Sequence, residues 1–200
     1  MERIINKGLE EKYGFKPFAC SCRKCVEACT VQPCSCTPDD IISIIEEHHV
    51  SPFNFTKTMQ CIYQMVGLTN ILFPLIAIKG DMRGLTGKCS FFDENKGLCK
   101  IHEFKPMGGS HGNTHESDMK KVLIANSPDY RICESWILEE NRTRVLKAAS
   151  LALVNPLEVT GFMNMVDEAR SKYRIIKEVP DDDDVRRYMR DVFIFSIIGG

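Results

Sequence analysis

The chain has 200 residues, 44% apolar and 26% charged, with a formal net charge of −1. That is the make-up of an ordinary globule of one domain, able to bury a core without disulfide staples. A balance so near neutrality gives no global pull on nucleic acid or on an anionic membrane surface.

No apolar run reaches the length of a membrane span, Val192–Ile198 included. The first residues, Met1-Glu-Arg-Ile-Ile-Asn-Lys-Gly8, have no apolar stretch of signal-peptide type. The expectation is a cytoplasmic protein with neither a nucleic-acid nor a membrane partner. In that reducing compartment its ten cysteines argue for ligands and against disulfides.

Residues 2–13 are a weak helix candidate, a lead-in closed by Gly14 and Pro17. Six cysteines then fall in residues 18–36: Cys20, Cys22, Cys25, Cys29, Cys34 and Cys36. Cysteines one residue apart sit badly for the narrow geometry of a disulfide. Soft thiolates on a tight segment suit zinc or an iron–sulfur cluster. With Pro33 inside and no sustained period, the segment reads as loop with at most a short helical turn.

Thr37-Pro38-Asp39-Asp40 is a helix start. Threonine caps, proline suits the first helical position, and the aspartates favour the positive end of the dipole. Ile41, Ile42, Ile44 and Ile45 form one face, and Ser43, Glu46 and Glu47 the other. The start of this helix would lie beside the thiolates and help stabilise their charge. His48 and His49 end it, where a cation is welcome.

Residues 51–69 read as a second helix, with Cys61 a core cysteine among apolar neighbours. Residues 70–79 read as an extended segment, in which Pro74 argues against a central strand and for an edge or irregular one. Lys88–Phe92 and Leu98–His102 flank Asp93-Glu-Asn-Lys-Gly97, a hairpin signal that brings Cys89 and Cys99 near each other. Residues 107–118 read as loop.

The remainder reads as helical. One helix opens at Ser127-Pro128 and runs through Ile132, Trp136 and Ile137, and more helical sequence follows from Arg142 to Val154. Another starts at Asn155-Pro156-Leu157-Glu158, carries Phe162, Met165, Val166 and Ala169, and ends by Pro180. A final one begins with the acidic run Asp181–Asp184.

Eight cysteines therefore stand in two groups, six at 20–36 and the pair Cys89 and Cys99. They allow two four-thiolate sites, or one with spare thiols. Cys22 and Cys25 form a local pair of zinc type, which Cys89 and Cys99 complete across the fold. The run Cys22, Cys25, Cys29, Cys34 is near a ferredoxin spacing without matching it. Spacing alone does not choose the metal.

The order Phe18-Ala-Cys20 through Cys29, Pro33-Cys34-Ser-Cys-Thr-Pro-Asp-Asp-Ile41, Cys89-Ser-Phe91, Cys99-Lys-Ile-His102 and Lys105-Pro106 resembles the YkgJ-type cysteine-cluster family, described as zinc- or iron-chelating domains. The resemblance covers residues 18–110. It implies metal binding by Cys20, Cys22, Cys25, Cys29, Cys34, Cys36, Cys89 and Cys99, and a packing role for His102. The family usually has a cysteine three residues past the proline, where this chain has Gly109. His111, His115, Cys133, or the extra Cys20 and Cys36, are the alternatives for that ligand.

No phosphate loop, dinucleotide fingerprint or nucleophile–base pair is present. The expected architecture is mainly α, with a cysteine-rich metal- or cluster-binding loop and a small β-hairpin. A lead-in at 1–17, a metal-binding domain at 18–118 and a helical region at 119–200 packed on it are expected. The cofactor is an iron–sulfur cluster or zinc, the cluster being favoured. The first functional expectation is electron transfer, or a cluster-bearing accessory to another enzyme. The second is a zinc-stabilised interaction module without redox role, with the C-terminal helices offered to a protein partner. A flagellin-lysine-methylating family is distantly similar in its cysteine pattern, and carries a third expectation of methyltransferase-like activity.

Overall fold

The computed structural model describes residues 23–31, 34–65, 69–80, 87–102, 105–111, 132, 135–171 and 174–176. Helices α1 (Arg23–Val31), α2 (Pro38–His48), α3 (Pro52–Phe55), α4 (Met107–His111), α5 (Glu139–Leu151) and α6 (Pro156–Ser171) make these residues mainly helical. Strands β1 (Thr56–Met65), β2 (Thr69–Ile78) and β5 (Arg174–Ile176) form one antiparallel sheet in the order β1-β2-β5. Strands β3 (Phe92–Asp93) and β4 (Leu98–Cys99) form the small hairpin expected from the turn residues, with Gly97 left-handed at φ 61°.

Helix α2 starts as its sequence dictates. Thr37 Oγ1 accepts from Asp40 N at 3.1 Å and Asp40 Oδ2 accepts from Thr37 N at 2.8 Å, a complete capping box. Ile41, Ile44 and Ile45 are fully buried, each contributing about 1.5–3 kcal/mol through burial of its side chain. Helix α6 follows its expectation as well, opening with Leu157 N on Asn155 Oδ1 at 3.0 Å and burying Phe162, Met163 and Val166.

Three expectations are corrected. Residues 51–69 are not one helix: α3 stops at Phe55 and β1 follows. The alternation of Met59, Cys61, Tyr63 and Met65 with Thr58, Gln60 and Gln64 is the strand signal there, and helical spacing of the same apolar residues masked it. Helix α1 takes up Arg23–Val31 within the expected loop at 18–36, and α4 replaces the start of the loop at 107–118.

The strand holding Pro74 is central rather than an edge. Ile76 O and Ile78 N bond residues 36 and 34 on the side away from β1, so even-numbered residues of β2 turn their backbone groups that way. Pro74 stands between Leu72, the last residue paired to β5, and Ile76. Its missing N–H therefore falls in a local gap and costs no β1–β2 bond.

One hydrophobic core spans the sequence. It joins Ile41, Ile44 and Ile45, Ile76 and Ile78, Ile101 and Met107 to Trp136, Val145, Phe162 and Val166, and it includes Cys36 and Cys89. Trp136 and Phe162 meet edge to face, ring centroids 5.9 Å apart. Arg144 of α5 pairs with Asp39 of α2, while Arg142 and Arg170 share Glu139 and Asp167 between α5 and α6. Among the described residues no helix is long and apolar enough to cross a membrane.

Candidate metal centre

Backbone bonds bring three cysteine-bearing segments together. The last carbonyls of α1 lack helical partners. Two are taken by the segment before the hairpin: Cys89 N donates to Cys29 O at 2.9 Å and Gly87 N to Val31 O at 2.7 Å. Residues 34–36 run beside the end of β2, with Ile78 N on Cys34 O and Cys36 N on Ile76 O, both at 2.8 Å. The hairpin sets Cys99 opposite Phe92, and Phe92 N donates to Cys89 O at 2.8 Å. Cys29, Cys34, Cys89 and Cys99 are thereby close enough for charge on one to be felt by the others.

None of the four is in a disulfide; Cys29 and Cys89 are buried, Cys34 and Cys99 half-buried. Burial pushes the Cys89 thiol up to about 12, and charge on Cys99 and Cys29 adds to this. Burial also pushes Cys34 well up, reinforced by Cys89, Cys29 and Cys99. Lys105, only 3% exposed, acts against the rise at both Cys34 and Cys89. Burial thus favours the protonated thiol at Cys34 and Cys89, and a cation binding there displaces protons.

Helix α4 closes the far side. Gly108 N donates to Ser35 O at 3.1 Å. A Cβ on Gly108 would fall 2.0 Å from Ser35 Oγ and 2.8 Å from Ser35 backbone, so only glycine fits. A Cβ on Gly109 would fall 2.2 Å from Cys34 Sγ and 2.8 Å from Lys105 Cε. Position 109, where the resemblance leads one to expect a cysteine, thus lies against a thiol of this cluster, in space that Cys34 and Lys105 share.

Asp40 links the helix start to the same region. Its Oδ2 also accepts from Met107 N at 3.0 Å, tying α2 to α4. Burial pushes its carboxyl up to about 6, against the lowering effect of these bonds.

The other expected ligands are placed as follows. Cys25 lies one turn before Cys29 in α1, its side chain outside the described residues, as are Cys20 and Cys22. Cys36 is fully buried in the apolar core, its thiol 3.6 Å from the carbonyl of Cys34 and its titration pushed well up by burial. Cys61 lies in β1 opposite Phe73, its side chain outside the described residues. His115 and Cys133 also lie outside them, His111 ends α4, and His102 is half-buried.

Among the described residues, no three cysteine, histidine or acidic side chains already stand as a finished ligand set. The chemistry of the four thiols nonetheless fits a thiophilic metal: soft donors, drawn from three segments and paired in no disulfide. Lys105 was legible in the sequence only as half of the Lys105-Pro106 motif; its burial beside Cys34 was not.

No curated protein and no solved structure matches this chain. Residues 21–125, about half of it, match the CxxCxxCC family, described as "Putative zinc- or iron-chelating domain". The match spans α1 to α4 and β1 to β4, the hairpin included, and agrees with the expected choice of zinc or iron. The chain is a member of this cysteine-cluster family of zinc- or iron-chelating domains.

Proposed function

We propose that Cys29, Cys34, Cys89 and Cys99 are the nucleus of a thiolate metal centre, completed from Cys20, Cys22, Cys25 and Cys36. The protein would carry an iron–sulfur cluster in the cytoplasm, for electron transfer or as a cluster-bearing accessory to another enzyme. The convergence of four thiols from three segments, none of them in a disulfide, carries this reading. A bound cluster would supply one-electron exchange, while the chain supplies thiolates, burial and a nearby cation. The accessory role has a surface available: Leu151, Leu153 and Leu157, at the junction of α5 and α6, are 74%, 91% and 81% exposed.

One observation favours a second reading, a zinc-stabilised interaction module without redox role. Cys29 and Cys89 are 6% and 4% exposed, and structural zinc sites are closed in this way. Anaerobic purification, visible absorption, and iron, sulfide and zinc analysis separate the two. Brown protein with iron and sulfide supports the first reading; colourless protein with stoichiometric zinc supports the second. Protein that takes up neither metal refutes both.

A further inference from the structure

We infer that the cleft between the end of α2 and the α5–α6 turn takes an arginine side chain of a basic protein partner. This rests on the accessory reading above and names what its exposed leucine surface recognises. None of the residues lining the cleft is a cysteine.

The cleft holds about 450 Å³, a volume in the range of built ligand sites. It is bordered by the residues after α2, by α3, by the segment before the hairpin and by the start of α6. Phe55 and Phe91 both line it and meet edge to face, ring centroids 5.5 Å apart. Glu158 supplies a carboxylate, and no lysine or arginine is among the lining residues. Glu46 and Glu47, exposed near the end of α2, stand just before it in the chain. Lys79 is held outside the lining, its Nζ donating to the Phe53 carbonyl at 2.8 Å.

Local costs gather on the same cleft. Among the described residues, only His49 and Leu153 are non-glycine residues with left-handed backbone, at φ 51° and 55°, and both border it. For leucine this conformation is unfavourable, and such strain clusters at ligand clamps. Burial does not offset it, since Leu153 is 91% exposed. Ser51, 4% exposed, lines the cleft too, and its hydroxyl has no hydrogen-bond partner among the described residues.

This lining selects a donor-rich cation. An anion would meet Glu158 with no lysine or arginine in the lining to offset it. A guanidinium carries five donors in one plane, stacks on aromatic rings and is weakly hydrated, whereas an ammonium is a strongly hydrated point charge. Arginine is also among the residues that anchor protein interfaces, where apolar surroundings exclude water. Leu151, Leu153 and Leu157 supply such surroundings.

The probe is acetyl-leucyl-arginine amide, titrated into the isotope-labelled full chain as purified anaerobically and followed by amide shifts. The shifts should fall at 49–55, 90–91 and 153–158. Citrulline in place of arginine in the probe, or Glu158→Gln in the protein, should weaken binding about tenfold or more, as loss of a charge-assisted hydrogen bond does. Leu153→Gly should weaken binding while raising the melting temperature, because glycine relieves the left-handed backbone. Equal binding of the citrulline probe or of a lysine probe, shifts outside the cleft, or a fall in both binding and melting temperature for Leu153→Gly would overturn the proposal. Free arginine binding as tightly as the probe would overturn the protein partner, since the leucines would then add nothing. The bound metal is measured on the same samples. Failure of the probe with metal in place refutes the cleft alone, and probe binding by a chain that takes up no metal refutes the metal centre alone.

Discussion

The indole N–H of Trp136 donates to the backbone carbonyl of Cys36 at 2.7 Å, across 100 residues of chain. The only tryptophan in the protein is thus bonded to the end of the cysteine-rich segment, and it packs on Phe162 of α6. Replacing it by phenylalanine keeps an aromatic body and leaves a buried carbonyl without this donor. Trp136→Phe should lose about 1–3 kcal/mol in urea unfolding, the cost of an unmet buried acceptor. An unchanged unfolding midpoint would show that the bond carries no stability.

The same bond makes Trp136 a reporter of the metal. Binding free energy at a thiolate site is also folding free energy. Because the core joins Cys36 and Cys89 to Trp136 and Phe162, removal of metal should reach the tryptophan. A chelator should shift its fluorescence to the red, and should lower amide protection at 23–36 and 87–102 before it does so in α5 and α6. Equal protection of the cysteine segments with and without metal would mean that they do not depend on it.

The four clustered thiols give the next prediction. Cys89→Ser with Cys99→Ser, and Cys29→Ser with Cys34→Ser, should each lose most bound metal, since each pair supplies half of the nucleus. Metal analysis after anaerobic purification decides it. A full complement in either double variant would remove that pair from the site.

Gly109 should not accept even a methyl group. Its Cβ would overlap Cys34 Sγ at 2.2 Å, and Cys34 is fixed by the bond from Ile78 N to its carbonyl. Gly109→Ala should cost about 1–3 kcal/mol by overpacking and lower the metal content. Wild-type stability and metal content in this variant would show that Cys34 moves aside freely.

Asp40 gives a pH dependence with a definite sign. Its folded-state carboxyl titrates near about 6, above the ordinary 3.8, because burial penalises the charge. The folded protein therefore holds this proton more tightly than the unfolded chain does. The contribution is favourable below the unfolded value and is lost as pH rises through the folded one, on the order of 3 kcal/mol across that window. One oxygen, Oδ2, accepts both backbone bonds, so asparagine can keep them. Asp40→Asn should be more stable than wild type at pH 7.5, with the advantage gone by pH 4. Asp40→Ala, which loses both bonds, should lie about 2 kcal/mol below Asp40→Asn at either pH. A constant difference between wild type and Asp40→Asn over this range would refute the assignment.

What the sequence determined by itself is local. Thr37-Pro38-Asp39-Asp40 fixed the start of α2 because a capping box is satisfied within four residues. Asp93 to Gly97 fixed the hairpin because its turn needs a left-handed glycine, and Asn155-Pro156 fixed the start of α6 in the same short-range way. The cysteine order and the family to which it points were legible because ligand chemistry is written in residue type and spacing. The tertiary structure decided what depends on distant partners. Residues 56–65 are a strand because residues 69–78 pair with them, although their apolar spacing also suits a helix. Pro74 is tolerated in a central strand only because both outer partners stop short of it. Above all, nothing near Trp136 in the chain ties it to Cys36, and the motif at Lys105 and Gly109 does not say that both border Cys34. Only packing brings a gap, a buried cation and an indole donor against the cysteine segment, because burial and charge act through space rather than along the sequence.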